Sequence, residues 1–137
     1  MCDLQLPERS SLGAAAYDLR LPEDLFLDPM ERWKSVPLGF HTEFPAGFEA
    51  FIVERSSIAT EKNVQVFHGT IDSDFRGEWK LRVTNMNPCK IFFPKHSKIA
   101  QVKFYPVLKH CYHVCSNTSE LEPSERANGG FGSTGLL

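Results

Sequence analysis

The chain has 137 residues, of which 42% are hydrophobic, and this length suits one domain built around one core. Its formal net charge of -2 gives no general attraction for a polyanion, which disfavours a nucleic-acid partner and leaves any phosphate binding to locally placed cations and backbone N–H groups. No stretch approaches the roughly 20 apolar residues of a membrane span, and residues 1–7 lack the basic and apolar regions of an export signal. We therefore expect a soluble protein that is neither secreted nor bound to a membrane.

Short apolar runs rich in β-branched and aromatic residues recur along the chain, with turn-forming residues between them. In chain order the runs cover residues 25–27, 36–40, 48–53, 64–67, 79–84, 91–93 and 99–108. Residues 56–62 leave room for at most one or two turns of helix. This pattern predicts an all-β fold, a jelly roll or a related distorted barrel of two sheets.

Near the end of the last run, residues 108–115 allow two interpretations. Two His and two Cys stand close together there and superficially offer soft metal ligands: His110, Cys111, His113 and Cys115. In an extended strand His110 would face away from the other three, so no face would gather all four ligands. We expect a strand rather than a metal site, and four cysteines without a framework indicate free thiols in a reducing compartment.

Two internal segments carry chemically useful residues. Asp72 and Asp74 are two apart in an acidic loop, so on an extended backbone both would point the same way and one could serve as a general base. The alternative is an Asp-rich turn that bonds only to its own backbone. Residues 55–59 combine a cation, two hydroxyls and N–H groups, which suits a phosphate cradle, although Ser56 or Ser57 could instead cap a helix.

The C-terminal segment changes in character, because residues 129–135 are mostly glycine around one aromatic residue, Phe131. Such an end is either a frayed terminus or an arm that lays its aromatic ring on a ligand. A linker has no need of a single large aromatic flanked by glycines. We therefore interpret Phe131 as part of a closing arm.

Five segments, in order, resemble the motifs of the trimeric dUTPase family. They are Ala14–Leu19, Arg55–Ala59, Gly69–Gly77, Lys98–Val102 and Arg126–Gly135. Arg9–Gly13 also looks like the second motif, but it precedes the first motif and no acidic loop follows it at the right spacing. The resemblance implies hydrolysis of dUTP to dUMP and pyrophosphate, which lowers dUTP to prevent uracil incorporation into DNA and supplies dUMP for thymidylate synthesis.

The resemblance also implies an assembly and a mechanism. It implies a homotrimer of jelly-roll subunits with shared active sites, in which residues 1–118 form the barrel domain and residues 119–137 form an arm that closes over a site. Asp72 would hold the sugar 3′-hydroxyl and act as general base toward the water that attacks the α-phosphorus, and Gln101 would orient that water. Mg²⁺ would be bound by the phosphates and water with no direct protein ligand, and Asp18 would contact it only through water.

Substrate recognition, as the resemblance implies it, divides among several parts. A hairpin over residues 64–71 would pair with uracil through its backbone, Phe75 would lie under the deoxyribose, and Phe131 would stack over the base while the arm grips the γ-phosphate. The implied substrate-binding residues are Arg55, Ser56, Ser57, Val66, Gly69, Thr70, Ile71, Asp72, Phe75, Lys80, Gln101, Arg126, Phe131, Gly132, Ser133 and Thr134.

The chain departs from the family pattern at a few positions. Phe75 stands where most members carry Tyr, and Glu54 stands where Pro is common; strand alternation should direct Glu54 away from Arg55. Ala16 and Ala127 replace glycines. His68 beside the uracil hairpin either caps a turn or makes binding sensitive to pH.

Two alternatives belong to other functional classes. One is a regulatory or binding protein that keeps the dUTPase fold and engages a protein partner, and the other is a member of the related dCTP deaminase group. The retained Asp72 and the order of the motifs favour the dUTPase interpretation over both. A cytoplasmic location is expected, or a nuclear or host-cell one if a virus encodes the protein.

Overall fold

The computed structural model describes residues 4–124. The predicted arm residues lie outside the described residues: Arg126, Ala127, Phe131, Gly132, Ser133 and Thr134.

The described residues are nearly all β, as the spacing of the apolar runs predicts. The strands are β1 (Tyr17–Arg20), β2 (Leu25–Leu27), β3 (Lys34–Pro37), β4 (Phe48–Glu54), β5 (Val64–Val66), β6 (Gly69–Asp72), β7 (Lys80–Asn85), β8 (Ile91–Phe93) and β9 (Lys98–Pro106). A five-residue helix, α1 (Ser56–Thr60), follows β4, and a short 3₁₀ turn spans Thr118–Glu120. Within residues 4–124 no helix has the length and hydropathy needed to cross a membrane.

The strands form three antiparallel sheets, which agrees with the predicted jelly-roll class. Their orders are β1-β9-β4-β6, β3-β7-β5 and β2-β8. The longest pairing joins β4 to β9 and runs from Phe48 opposite Pro106 to Glu54 opposite Ala100. This pairing is the scaffold that carries most of the site described below.

The core lies on the inner faces of these sheets. On β4, Ala50 and Ile52 are buried, whereas the residues between and beside them are only half-buried, which is the period-2 alternation of a strand with one face on a core. Trp79 is fully buried, and its Nε1 donates to Thr42 Oγ1 at 2.9 Å, so its one polar atom is satisfied. Each large apolar side chain buried in this way stabilises the fold by about 1.5–3 kcal/mol.

The hairpin predicted over residues 64–71 is wrong. Strand β5 pairs with β7 and strand β6 pairs with β4, so the two strands belong to different sheets. The Phe67 N–H donates to Arg82 O at 2.9 Å, which extends the β5–β7 pairing by one residue before the chain crosses over at His68. A two-residue hairpin loop needs residues that tolerate positive φ, such as Asn or Gly, and Phe67-His68 supplies neither.

The strand predicted over residues 108–115 is also wrong. Strand β9 ends at Pro106, and residues 107–115 have no regular structure. Leu108, Tyr112 and Val114 are 79%, 86% and 92% exposed. A strand requires a neighbour that accepts and donates its backbone hydrogen bonds, and no strand within residues 4–124 pairs with this segment.

Candidate active site

Asp18 is the acidic centre of a polar cluster beside strand β1. Its side chain is only 10% exposed, and the residue lies opposite Gln101 of β9. Asp18 Oδ2 accepts a hydrogen bond from Ser10 Oγ at 2.6 Å and lies 2.7 Å from Lys98 Nζ, while Oδ1 lies 3.1 Å from Arg55 Nε. Three donors from three separate segments therefore hold one carboxylate.

These donors determine the charge of Asp18. Burial alone would raise the pKa of its carboxyl, but the hydrogen bonds from Lys98 and Ser10 and the positive charges of Arg55 and Lys98 outweigh burial and hold the pKa below its ordinary value of 3.8. The group is therefore an anion at neutral pH. A fixed carboxylate among cations can accept hydrogen bonds from water or from a hydrated metal ion.

Arg55 joins β4 to helix α1. It is the N-cap residue, with φ -96° and ψ 137°, and it makes no side-chain cap hydrogen bond. Its Nη1 instead donates to Lys98 O at 2.8 Å, which fixes the guanidinium beside Asp18. Because Arg55 holds the cap position, the alternative in which Ser56 or Ser57 caps the helix is wrong. The N–H groups of Ile58 and Ala59 donate to Arg55 O, so the first N–H groups of α1 that have no acceptor within the helix are those of Ser56 and Ser57, and these suit an anion.

The cluster lines an open cavity of about 400 Å³. The lining residues are Ser10, Ala14, Ala15, Ala16, Asp18, Arg55, Ser56, Ser57, Gln101 and Lys103. Two lining side chains are cationic and one is anionic, and Lys98 adds a third cation at the wall through its contact with Asp18. This local excess of positive charge suits a phosphate chain, whereas the overall charge of the protein is negative.

Gln101 and Lys103 project from β9 into this cavity. Gln101 Nε2 donates to Glu54 O at 3.0 Å, so its side-chain amide is anchored and its oxygen remains an acceptor. Lys103 follows two residues later on the same face of the strand. No acidic side chain among residues 4–124 forms an ion pair with Lys103.

Three residues of the site were not predicted from the sequence: Lys98, Lys103 and Ser10. Lys103 could have been found from its period-2 spacing to Gln101. Lys98 opens the fourth motif but was given no role there. Ser10 lies in Arg9–Gly13, which was set aside as a false match to the second motif, and no sequence signal indicates its contact with Asp18.

A second group of predicted site residues lies on β6 and the loop after it. In β6, Thr70 and Asp72 are exposed, while Gly69 and Ile71 are half-buried. The Phe75 N–H donates to Asp72 O at 3.1 Å, so the chain turns directly after Asp72. The premise that Asp72 and Asp74 share an extended backbone is therefore wrong, because the backbone reverses between them.

Phe75 rests on the backbone of Gly77. A Cβ added at Gly77 would lie 2.3 Å from Phe75 Cζ, so the glycine leaves the space that the aromatic ring fills. Phe75 is 40% exposed. The loop thus presents a flat apolar surface near the end of β6.

The two groups are far apart within one chain. In the sheet order β1-β9-β4-β6, strand β6 is three positions from β1. Asp18 lies opposite Gln101 of β9, and Gln101 lies opposite Val53 of β4. Asp72 instead lies opposite Glu49, which is four residues before Val53 on β4. With about 4.8 Å between strands and about 3.4 Å per residue, the separation of Asp72 from Asp18 is roughly 20 Å.

The structure therefore brings together only part of the predicted set. Asp18, Arg55, Ser56, Ser57 and Gln101 meet in one cavity. The other described residues of the set do not line it. The far edge strand β6 carries Gly69, Thr70, Ile71 and Asp72, and Phe75 lies in the loop after it. Lys80 begins β7 in another sheet, and the Val66 side chain is buried in the core.

Glu54 and His68 form a contact outside the cavity. Glu54 Oε2 lies 3.8 Å from His68 Nε2, and the His68 ring packs edge-on against Phe51 at 5.8 Å between centroids. Glu54 is thus directed away from Arg55, whose partners are Asp18 and Lys98, as strand alternation predicts.

The side chains of the cavity indicate how Mg²⁺ could bind there. Within the described part of the chain there is no group of three or more His, Cys, Asp or Glu side chains that could hold a metal ion. The cavity offers one carboxylate, already surrounded by cations. This set fits Mg²⁺ that arrives with oxygen ligands of its own from phosphate and water, and it does not fit a cage of protein ligands.

Fold and cavity together define a class of protein: a small antiparallel β domain whose sheet carries an anion-binding cavity with one fixed carboxylate. A sequence profile of the dUTPase family matches residues 3–135. The deoxyuridine 5′-triphosphate nucleotidohydrolase of Hydrogenobaculum sp. (strain Y04AAS1) is 39% identical over 137 residues, which cover 98% of this chain and 92% of the relative. That of Chlamydia pneumoniae is 36% identical over 135 residues, which cover 96% and 91%. The chain belongs to the dUTPase family.

Solved structures support the fold. The dUTPase of Staphylococcus bacteriophage 80alpha with dUPNHPP superposes with a TM-score of 0.88 at 20% identity, over 97% of this chain and 93% of that one. The dUTPase from phage phi11 of S. aureus gives a TM-score of 0.76 at 16% identity, over 83% and 90%. A variant of the phi11 protein coordinates a structural Mg(II) ion.

Proposed function

We propose that the protein is a dUTP diphosphatase, which hydrolyses dUTP to dUMP and pyrophosphate. The observation that carries the proposal is the cavity in which Asp18, Arg55 and Gln101 meet at the start of helix α1. These residues come from the first, second and fourth family motifs. Relatives that share 35–39% of the sequence are deoxyuridine triphosphate nucleotidohydrolases.

The cavity binds the phosphate chain. Arg55 and Lys103 supply positive charge, and the hydroxyls and N–H groups of Ser56 and Ser57 supply hydrogen bonds to phosphate oxygens. In phosphoryl transfer most of the catalysis is positioning and neutralisation of charge. The guanidinium of Arg55 is fixed by Lys98 O and Asp18, so it is oriented before the substrate arrives.

Mg²⁺ bound by the three phosphates and water would neutralise the charge of the triphosphate. Asp18 would hold the hydrated ion through water, because its carboxylate is charged and fixed in place. No direct bond from the protein to the metal is required.

Hydrolysis requires a base for the attacking water. In our proposal the Asp72 carboxylate takes a proton from this water as its oxygen bonds to the α-phosphorus, and the bond from the α-phosphorus to the bridging oxygen breaks to release pyrophosphate. The side-chain oxygen of Gln101 accepts the other proton of the water in a hydrogen bond and orients it, since the Gln101 amide is held by Glu54 O.

The remaining predicted contacts select the nucleotide. Backbone groups near Val66 and Gly69, with Thr70 and Ile71, pair with uracil, and the Phe75 ring excludes a 2′-hydroxyl. The other contacts of the proposal are Lys80 and the arm residues Arg126, Phe131, Gly132, Ser133 and Thr134, which close over the bound substrate.

The proposal includes a homotrimer with shared sites, in which residues 1–118 form the domain and 119–137 the arm. Two observations support an assembly. Asp72 is roughly 20 Å from the Asp18 cavity of its own chain, and in the proposed trimer a second copy supplies it. Residues 107–115 carry exposed Leu108, Tyr112 and Val114 without a partner strand among the described residues, and a neighbouring subunit would cover them. The free thiols of Cys89, Cys111 and Cys115 fit a reducing compartment, either cytoplasmic or nuclear.

Release of pyrophosphate from dUTP in the presence of Mg²⁺ tests the proposal. We expect turnover that requires Mg²⁺ and that falls by about 10²–10⁴ in Asp72→Asn. Intact dUTP alongside an active reference enzyme would remove the catalytic proposal and favour a binding protein. Release of ammonia from dCTP would instead assign the protein to the deaminase group.

A further inference from the structure

The segment before β1 folds back onto that strand. The Asp18 N–H donates to Glu8 O at 2.8 Å, and the Glu8 N–H donates to Asp18 O at 3.4 Å. The Arg9 guanidinium lies 6.0 Å from the centre of the Tyr17 ring, and the Ala14 N–H donates to Ser11 O at 3.2 Å. These contacts hold residues 8–14 along the wall of the cavity and place Ser10 beside Asp18.

Ser10, Lys98 and Asp18 form a closed triangle of contacts. Lys98 Nζ donates to Ser10 Oγ at 2.8 Å and lies 2.7 Å from Asp18 Oδ2, and Ser10 Oγ donates to the same Oδ2 at 2.6 Å. A lysine ammonium only donates, so the serine hydroxyl has to accept from Lys98 and direct its own proton at Asp18. The direction of both hydrogen bonds is therefore fixed by chemistry.

The two carboxylate oxygens of Asp18 have different contacts. Oδ2 receives two donors, whereas Oδ1 has one cationic neighbour, Arg55 Nε at 3.1 Å. A carboxylate has about four acceptor positions, so the capacity left for a ligand lies mainly on Oδ1. Without the Ser10 hydroxyl, Lys98 and Arg55 would still balance the charge of the group, but one of the three contacts that fix its rotation would be lost.

We propose that Ser10 is a positioning residue, which orients the Asp18 carboxylate so that Oδ1 accepts a hydrogen bond from water on a Mg²⁺-nucleotide complex. The inference rests on the proposed function, because it needs a phosphate ligand that carries the metal into this cavity. It gives the segment Arg9–Gly13 a role at the site, although not the phosphate-binding role that its likeness to the second motif implies.

The test measures the affinity for the nonhydrolysable analogue dUpNHpp by calorimetry, with and without Mg²⁺. In Ser10→Ala we expect the gain in affinity that Mg²⁺ confers to fall about three- to tenfold, with the affinity in the absence of metal unchanged. Ser10→Thr keeps the hydroxyl and should retain the gain. Ser11→Ala is the matched control, since the Ser11 side chain does not line the cavity, and it should match the wild type. If Ser10→Ala does not fold, Ser10→Cys replaces it.

The outcomes separate the inference from the proposed function. A wild type that hydrolyses dUTP, with Ser10→Ala showing an undiminished response to Mg²⁺, overturns the inference alone. Equal weakening with and without metal also overturns it, because a merely structural residue would behave in that way. A wild type that neither hydrolyses dUTP nor binds the analogue removes the proposed function and this inference with it.

Discussion

Asp18 shows how a single residue links the stability of the fold to the site. It is nearly buried, and its charge is held by Ser10, Lys98 and Arg55, which come from three different parts of the chain. A buried charge is costly unless it is paired, and here the pairing is complete enough to lower the pKa. The same contacts that stabilise the fold therefore prepare the site for a hydrated cation.

We predict that Asp18→Asn lowers the free energy of unfolding by about 1–3 kcal/mol at neutral pH, because the amide cannot offset the charges of Arg55 and Lys98. The folded-state pKa of Asp18 lies below its unfolded value, so its contribution is present above about pH 4 and is lost as the pH falls through the folded pKa. The difference in the free energy of unfolding between the wild type and Asp18→Asn should therefore be smaller in acid. Urea unfolding of the two proteins at about pH 7 and about pH 3 measures this difference at each pH.

Asp28→Asn is the control for this prediction. It removes an ion pair between Asp28 and Lys90, whose side chains are 66% and 63% exposed, respectively. The free energy of unfolding should fall by less than about 1 kcal/mol. An Asp18→Asn variant as stable as the wild type at neutral pH, or a gap that does not change with pH, would contradict the role given to Asp18.

Among the elements, the strands could be predicted because their signal is local. Each predicted run overlaps a strand, although the run over residues 36–40 meets β3 only at its first two residues, and no run covers β1 or β6. Pairing is not local. The separation of β5 from β6 depends on where β7 and β4 lie, and the absence of a strand after Pro106 depends on whether a neighbour is present. The wrong predictions of a hairpin over residues 64–71 and of a strand over residues 108–115 both have this cause.

The loop between β6 and β7 offers a prediction about selectivity. A methyl group at Gly77 would come within 2.3 Å of Phe75 Cζ, so Gly77→Ala has to displace the ring. Because Phe75 is 40% exposed, its ring can swing into solvent at little cost in stability. If the ring excludes the 2′-hydroxyl, the preference for dUTP over UTP should fall about three- to tenfold. The ratio of the two kcat/KM values measures this preference.

Gly13→Ala is the matched control, since no atom lies within 4 Å of a Cβ built there, and it should leave the ratio unchanged. An unchanged preference in Gly77→Ala would show that Phe75 does not set the selectivity for the sugar.

At the scale of the whole molecule, the predicted site divides between two places on one chain. Asp18, Arg55 and Gln101 could be expected at one phosphate site only through the family resemblance, and they meet in one cavity because β1 and β4 both pair with β9. Asp72 could not be placed relative to them, since its distance follows from the order of strands in the sheet. The contact of Ser10 with Asp18 was equally hidden, because it depends on how residues 8–14 fold back.

The distance between Asp72 and the phosphate cavity limits which chain can supply the catalytic base. A base roughly 20 Å from the phosphate cavity cannot act on a substrate bound there, so each site in our proposal takes Arg55 from one copy and Asp72 from another. Two variants defective at different residues should then complement each other in mixed assemblies.

Complementation is therefore the most direct measurement. Arg55→Gln and Asp72→Asn are each expected to be nearly inactive in pyrophosphate release from dUTP. After the two are unfolded and refolded together in equal amounts, about one quarter of the sites should combine an intact Arg55 with an intact Asp72. Recovery of activity toward that fraction of the wild-type level is the predicted result. A mixture no more active than the separate variants would contradict a site shared between copies.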